Sequence, residues 1–294
     1  MKGEQCMSAH VINGKELVGA YRAEIKQQVE RLAERGVKPG LAVVIVGDDP
    51  ASHVYVRNKN RACEEAGIHS EVYKLAEETT EGELLALIGK LNADQAIHGI
   101  LVQSPLPKHI DEERIVEAIA VEKDVDCFHP VNVGNLMIGK PGPAPCTPAG
   151  VIEILKKVGV EIAGKHAVVI GRSNIVGKPM GILLLRENAT VTVCHSRTKD
   201  LAAITSQADI LVAAIGKPKV IKREHVKPGA VVIDVGVNRL DTGKLSGDVD
   251  FDDVVDAASV ITPVPGVVGP MTITILLRNT LEAAERAAGV SVSS

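Results

Sequence analysis

The stretch Val168-Val-Ile-Gly-Arg-Ser-Asn-Ile-Val-Gly-Lys-Pro179 decides how the second half of the chain folds. An apolar run, His166 to Ile170, ends in a glycine, and a new segment opens at Gly177. A strand that gives way to a helix through such a turn offers backbone N–H groups to an anion. Gly171 and Gly177 let backbone or phosphate approach closely. The spacing is not G-x-G-x-x-G, since Ser173 stands at the middle glycine, and alone the segment reads equally well as a structural strand–helix turn. It is not a Walker A loop either: five residues separate the glycines, and Pro179 replaces the magnesium-binding hydroxyl.

Downstream, apolar runs recur at Ala189–Val193, Ile210–Ile215, Val231–Val235 and Val260–Ile261. Short apolar strands separated by helical segments are the signature of a parallel sheet, because each connection must cross back over the sheet face. The run ending at Val193 leads into Cys194-His-Ser-Arg197, with no acid to bind ribose hydroxyls or repel a 2′-phosphate. Arg172, Arg197 and Ser196 can all serve such a phosphate, which predicts NADP rather than NAD.

Upstream, Gly139-Lys-Pro-Gly-Pro-Ala-Pro145 suits an interdomain crossing, and Thr147-Pro148 reads as a helix cap with a first-turn proline. Before it lies a second alternating series. Leu17, Tyr21, Ile25, Val29 and Leu32 share a helical face, and Leu41–Val46 is a buried strand. Ser52 to Ala66 reads as a helix capped by Ser52, His69–Leu75 as a strand, Thr80–Leu91 as a helix and Ile100–Val102 as a strand. The expectation is an α/β protein of two α/β domains flanking a cleft, the second a Rossmann-like doubly wound parallel sheet. Residues 1–146 form the first domain, 147–270 the second, and a C-terminal helix at 271–294 returns to the first.

Composition narrows the function. The chain has 294 residues, a formal net charge of −4, no tryptophan, three tyrosines and two phenylalanines. Neither a basic footprint nor a stacking platform for nucleic acid is present. Five scattered cysteines without a C-x-x-C suggest no disulfide framework and no zinc site, which fits a reducing cytoplasm. No histidine cluster has metal or triad spacing, and no metal is expected. The start of the chain shows no signal-peptide pattern and no 18-residue apolar run occurs, so neither export nor membrane insertion is expected.

Tyr55-Val-Arg-Asn-Lys59 places a tyrosine and a lysine on one helical face. Short-chain dehydrogenases use such a pair, but there the pair follows the glycine-rich turn, whereas here it precedes Gly171 by over 100 residues. Tyr55 and Lys59 therefore read as facing a substrate rather than the dinucleotide. A short-chain-type oxidoreductase and a non-enzymatic binding module remain as rivals.

Five blocks in order carry a resemblance over nearly the whole chain: Val46–Ser52 running into Tyr55 and Lys59, Gly99–Gln103 with Pro105-Leu-Pro107, Lys123-Asp-Val-Asp126 with Phe128-His-Pro130, the Gly171 block, and Ile261–Gly266 with Val268–Thr272. The chain resembles the bifunctional methylenetetrahydrofolate dehydrogenase/cyclohydrolase family of one-carbon metabolism. The resemblance implies that 5,10-methylenetetrahydrofolate passes a hydride to NADP, and that water then opens the methenyl cation to 10-formyltetrahydrofolate, a precursor for purine synthesis. It also implies a homodimer.

Residue by residue, the resemblance makes Lys59 the group that polarises or protonates a folate nitrogen and helps to activate water. Gln103 becomes its partner, a neutral amide that orients an ammonium without pairing it with an opposite charge. Tyr55 would stack on the folate, its hydroxyl orienting the lysine or water. Asp126 would accept the pterin N–H groups. Pro265, Gly266 and Val267 would wall the folate, and Thr147, Gly171, Arg172, Ser173, Gly177, Ser196, Arg197 and Gly216 would contact NADP. Cys127 and Val267 stand where the family usually has glycine, and Ser104 where it has leucine. A valine at 267 is expected to be strained if that position takes a positive φ.

Overall fold

The computed structural model describes residues 9–290; Cys6 and the last four residues of the expected C-terminal helix lie outside them. In chain order the elements are β1 (His10–Val11), α1 (Gly14–Ala33), β2 (Gly40–Val46), α2 (Pro50–Ala66), β3 (His69–Leu75), α3 (Glu81–Ala93), β4 (Gly99–Val102), α4 (Glu112–Ala118), α5 (Pro130–Met137) and α6 (Cys146–Lys157). There follow β5 (His166–Ile170), α7 (Gly177–Arg186), β6 (Thr190–Cys194), α8 (Leu201–Thr205), β7 (Ile210–Ala213), β8 (Val231–Asp234), β9 (Asn238–Arg239), β10 (Leu245–Ser246), α9 (Phe251–Val254), β11 (Val260–Ile261) and α10 (Val268–Ala288). The described residues fall into two compact units, one of 9–18 with 147–272, the other of 19–146 with 273–290.

The unit containing 19–146 holds a parallel three-stranded sheet in the order β3-β2-β4. Every residue of β2 is buried, as a central parallel strand covered on both faces requires, and β3, at the edge, is half-exposed. Ala42, Val44 and Ile100 of the sheet pack with Leu84 and Ile88 of α3 and with Ile115 of α4. Helix α3 begins with a capping box, Thr80 and Glu83 satisfying each other's backbone N–H groups. Helix α2 begins differently from the expectation. Asp49, not Ser52, is its cap, accepting from the Ser52 N–H at 2.8 Å and the Ser52 hydroxyl at 2.7 Å. A carboxylate reaches back over the first turn better than a hydroxyl already inside it.

The other unit carries the six-stranded parallel sheet β1-β11-β8-β7-β5-β6, with Val168, Leu211, Val232 and Ile261 in its core. All five strands expected between 166 and 261 are present. The sixth, β1, is not legible in the sequence, being two residues long. Its register beside β11, His10 against Val260, hydrogen-bonds the N-terminal segment into this sheet, whereas residues 1–146 were expected to form one domain. A small antiparallel hairpin, β9–β10, stands apart. Helix α10 starts three residues before Met271, and the helices α4, α5 and α9, all short, were not expected.

Candidate active site

In the three-stranded sheet the central strand β2 has β3 on one side and β4 on the other, so the chain reverses direction of sheet growth between β2 and β4. Ligands of open α/β sheets sit outside the carboxyl ends of strands at such a switch point. Gln103 is the first residue beyond β4, its backbone N–H held by the Val44 carbonyl at 2.8 Å. Lys59, half-buried on α2, donates to the Gln103 Oε1 at 3.1 Å. The amide is fixed on its other side, since Nε2 donates to the Ser104 carbonyl at 2.7 Å. The expected lysine–glutamine pair is therefore formed. Tyr55 lies one turn earlier on α2 with an exposed side chain, and among the described residues it makes no hydrogen bond to Lys59. Of the two expected partners of its hydroxyl, the lysine and water, the lysine is not bonded here; the exposed ring remains available for stacking.

The two acids of Lys123-Asp-Val-Asp126 have different tasks. Asp124 is buried and spent on its own loop, accepting from the N–H groups of Phe128 at 3.2 Å and His129 at 2.9 Å and from Asn132 Nδ2 at 2.8 Å. Among the described residues Asp126 accepts one long contact, 3.7 Å, from the Cys146 thiol. Burial pushes the Asp126 carboxyl above the ordinary carboxylate range, the Lys59 ammonium opposes this, and Asp124 adds to it. A half-buried carboxylate with spare acceptors beside a cation is poised to take N–H groups from a ligand.

What supports Asp126 is not legible in the sequence. Asn279 of α10 donates through Nδ2 to the Val125 carbonyl at 2.8 Å and the Ala144 carbonyl at 3.1 Å, and lies 3.6 Å from the Cys146 sulfur. These residues are far apart in sequence. Cys127 is buried and takes φ +60°, with its thiol donating to the Pro143 carbonyl at 3.2 Å. Val267 takes no positive φ and is fully buried against the start of α1 at Gly14. The expectation of strain at Val267 is thus reversed: the residue at positive φ is Cys127, and the adjacent Gly266 has φ +132°. Pro265 and Gly266 are exposed, whereas Val267 turns its side chain into the core rather than toward a ligand. All three belong to the other unit from Lys59.

The six-stranded sheet has its own switch point between β5 and β7, since β6 lies on one flank of β5 and β7 on the other. Gly171 directly follows β5 with φ +132°, and a Cβ there would fall 2.2 Å from the Ala214 carbonyl oxygen. A Cβ on Gly177 would fall 2.2 Å from the Gly171 carbonyl oxygen, so both glycines are required by close backbone approach. The Ser173 Oγ accepts from the N–H groups of Val176 at 3.1 Å and Gly177 at 3.3 Å, which ties the turn to the start of α7 and leaves its hydroxyl hydrogen to donate outward. Arg172, Ser173, Ser196, Arg197 and Gly216 are exposed. These donors, with no acid at the end of β6, could hold a dinucleotide at the carboxyl ends of the strands. Helix α6 starts at Cys146, so Thr147 lies within its first turn and is not the cap expected; its hydroxyl stands 3.0 Å from that of Thr272.

Other features carry no competing chemistry. Among the described residues no group of three or more His, Cys, Asp or Glu side chains could hold a metal ion, and no helix is long and apolar enough to cross a membrane. Cys63, Cys127, Cys146 and Cys194 are buried free thiols. Ser104 bonds to Glu112, not to a histidine. A cavity of ≈ 490 Å³ at the amino ends of β5, β7, β8 and β11 holds the Lys227–Asp209 pair at 2.6 Å and the Lys165–Glu161 pair at 3.6 Å. It lies at the end of the sheet opposite Gly171 and includes none of the candidate site residues.

Comparison with known proteins matches both units. Residues 12–126 match the family model described as the catalytic domain of tetrahydrofolate dehydrogenase/cyclohydrolase, and residues 145–288 match that of its NAD(P)-binding domain. The bifunctional protein FolD of Geobacillus thermodenitrificans is 62% identical over 282 residues, covering 96% of this chain and 99% of its own. The crystal structure of the bifunctional FolD methylenetetrahydrofolate dehydrogenase/cyclohydrolase of Campylobacter jejuni superimposes with a TM-score of 0.93 at 51% identity, over 95% of this chain and 99% of that one. The Trypanosoma brucei N5,N10-methylenetetrahydrofolate dehydrogenase-cyclohydrolase, solved with NADP cofactor and an inhibitor, gives 0.92 at 42% identity, over 96% and 99%.

Proposed function

We propose, on the premise that the chain belongs to the tetrahydrofolate dehydrogenase/cyclohydrolase family, that it oxidises 5,10-methylenetetrahydrofolate with NADP and hydrolyses the product to 10-formyltetrahydrofolate. The observation that carries the reading is the Lys59–Gln103 hydrogen bond at the β2/β4 switch point, with Asp126 in electrostatic reach of the same ammonium. When bound, NADP supplies the hydride acceptor. Everything else falls to the chain. Asp126 accepts the pterin N–H groups and fixes the ring, and Tyr55 offers a face to it. Lys59, aimed by Gln103, donates to a folate nitrogen and orders the water that attacks the methenyl carbon; a proton leaves as the ring C–N bond breaks. Gly171, Arg172, Ser173, Gly177, Ser196, Arg197, Gly216 and Thr147 receive the dinucleotide, the two arginines favouring a 2′-phosphate.

Four buried free thiols suit a reducing cytoplasm, and the homodimer that the family resemblance implies would be measured by sedimentation. The direct test follows absorbance with 5,10-methylenetetrahydrofolate plus NADP or NAD, and separately with 5,10-methenyltetrahydrofolate alone. Turnover in both assays, faster with NADP, is expected. Silence in both would leave a binding module, and equal rates with NAD would remove the arginines from cofactor choice.

A further inference from the structure

The segment that faces the Gly171 turn across the β5/β7 switch point is held from beneath by a carboxylate distant in sequence. Three successive backbone N–H groups turn inward there: Ile215 and Gly216 donate to Asp248 Oδ2 at 2.5 and 3.0 Å, and Lys217 donates to Oδ1 at 3.0 Å. Asn238 Nδ2 adds a fourth bond to Oδ1 at 2.9 Å. Asp248 is fully buried. Successive N–H groups curled around one anion form a nest, an arrangement that elsewhere in proteins binds phosphate. Here the anion belongs to the chain itself. Asp248 is anchored in turn, since its N–H donates to Asp234 Oδ1 at 3.0 Å, and Asp234, at the end of β8, also accepts from Gly236 at 3.0 Å and Val249 at 2.9 Å.

We propose that Asp248 is a positioning residue for the dinucleotide. By filling the nest it holds residues 215–217 as one lip of the crevice and withdraws their N–H groups from phosphate, which leaves the pyrophosphate to the Gly171 turn. Loss of the carboxylate turns buried donors loose, and the lip then moves or admits an anion in the wrong place. The inference rests on reading this unit as the NADP site.

The test compares wild type with Asp248→Asn, in which an amide N–H₂ faces N–H donors. Three quantities are measured: NADPH affinity by titration of nucleotide fluorescence, KM and kcat of the dehydrogenase, and cyclohydrolase turnover without nucleotide. Expected is a weakening of NADPH binding and a rise in KM for NADP on the order of tenfold or more, with cyclohydrolase turnover within about twofold of wild type. Unchanged NADPH affinity in the folded variant overturns the proposal, and so does a parallel loss of both activities. Gly236→Ala gives a second route, because its Cβ would fall 2.2 Å from Asp248 Oδ1 and displace the carboxylate without altering its charge. Asn238→Ala removes one bond from the edge of the network and should shift affinity in the same direction by less, which keeps the proposal open to refutation if the other variants do not fold. Wild type that binds no NADPH would refute the function itself. Wild type that binds it while all three variants match it would refute only the role of Asp248.

Discussion

At the scale of single residues, identical side chains acquire different tasks from their neighbours. Asp124 and Asp126 are two positions apart, yet three donors consume the first and a single long thiol contact reaches the second. The sequence made Asp126 a candidate through its resemblance but gave no physical reason to prefer it; the reason lies in a loop whose N–H groups fold back onto Asp124. Lys59 and Gln103 were legible as a pair on the same ground, and their meeting across 44 positions follows from α2 and β4 flanking one strand end. Lys59→Met is expected to lower cyclohydrolase turnover by about 10²–10⁴-fold while circular dichroism and the melting temperature stay near wild type. Near-normal hydration in that variant would end the assignment. Cys127 makes a second test. A β-branched side chain at φ +60° clashes with its own backbone, so Cys127→Val should cost about 1–3 kcal/mol in urea unfolding. Cys127→Gly should be tolerated better, relieving the backbone while giving up the bond to Pro143.

Elements were more legible than sites because their signals are periodic and local. The all-buried run of β2 and the strands from β5 to β8 read directly from apolar runs bounded by glycine and charge. What escaped was short or held by distant partners: β1 has two residues, and α5 owes its start to His129 accepting from Val131 rather than to a strong apolar period. The turn from β5 to α7 was read as an even choice between anion site and structural bend. Its packing on Ala214, which no local pattern encodes, explains the glycine at 171 by close backbone approach and leaves the choice of an anion site to the proposal. Gly171→Ala tests this element. With φ +132° and a carbonyl oxygen 2.2 Å from the new Cβ, the turn must open, and dehydrogenase activity and NADPH binding should fall at least tenfold. Cyclohydrolase turnover, measured on methenyltetrahydrofolate alone, should persist.

At the scale of the whole molecule, stability has a pH dependence with an assignable source. Burial raises the Asp234 carboxyl from 3.8 to about 6, with Asp248 adding to the rise and three backbone N–H groups opposing it. The folded pKa lies above the unfolded one, so the contribution of Asp234 is fully present below about pH 3.8 and is lost as pH rises through 6. Wild type should therefore lose about 1–2 kcal/mol relative to Asp234→Asn between pH 5 and 7.5, read from urea unfolding at each pH. A constant difference would show that Asp234 titrates elsewhere. The alternation of strands and helices announced two units, but their composition was not fully legible. The sheet closes through β1, where a two-residue strand finds its register beside β11 only in three dimensions. That closure bears on how the protein is born. β1 leaves the ribosome first and must wait for a partner roughly 250 residues behind it, while Asn279, which braces the Asp126 loop, emerges later still. At about 5–20 residues per second the nascent chain spends on the order of ten seconds or more with β1 unpaired. The six-stranded sheet cannot be complete until Ile261 has been made, and the other unit, whose three strands are all made by Val102, still waits for Asn279, so a message cut short after β4 would leave one sheet open and the other without the brace on its Asp126 loop.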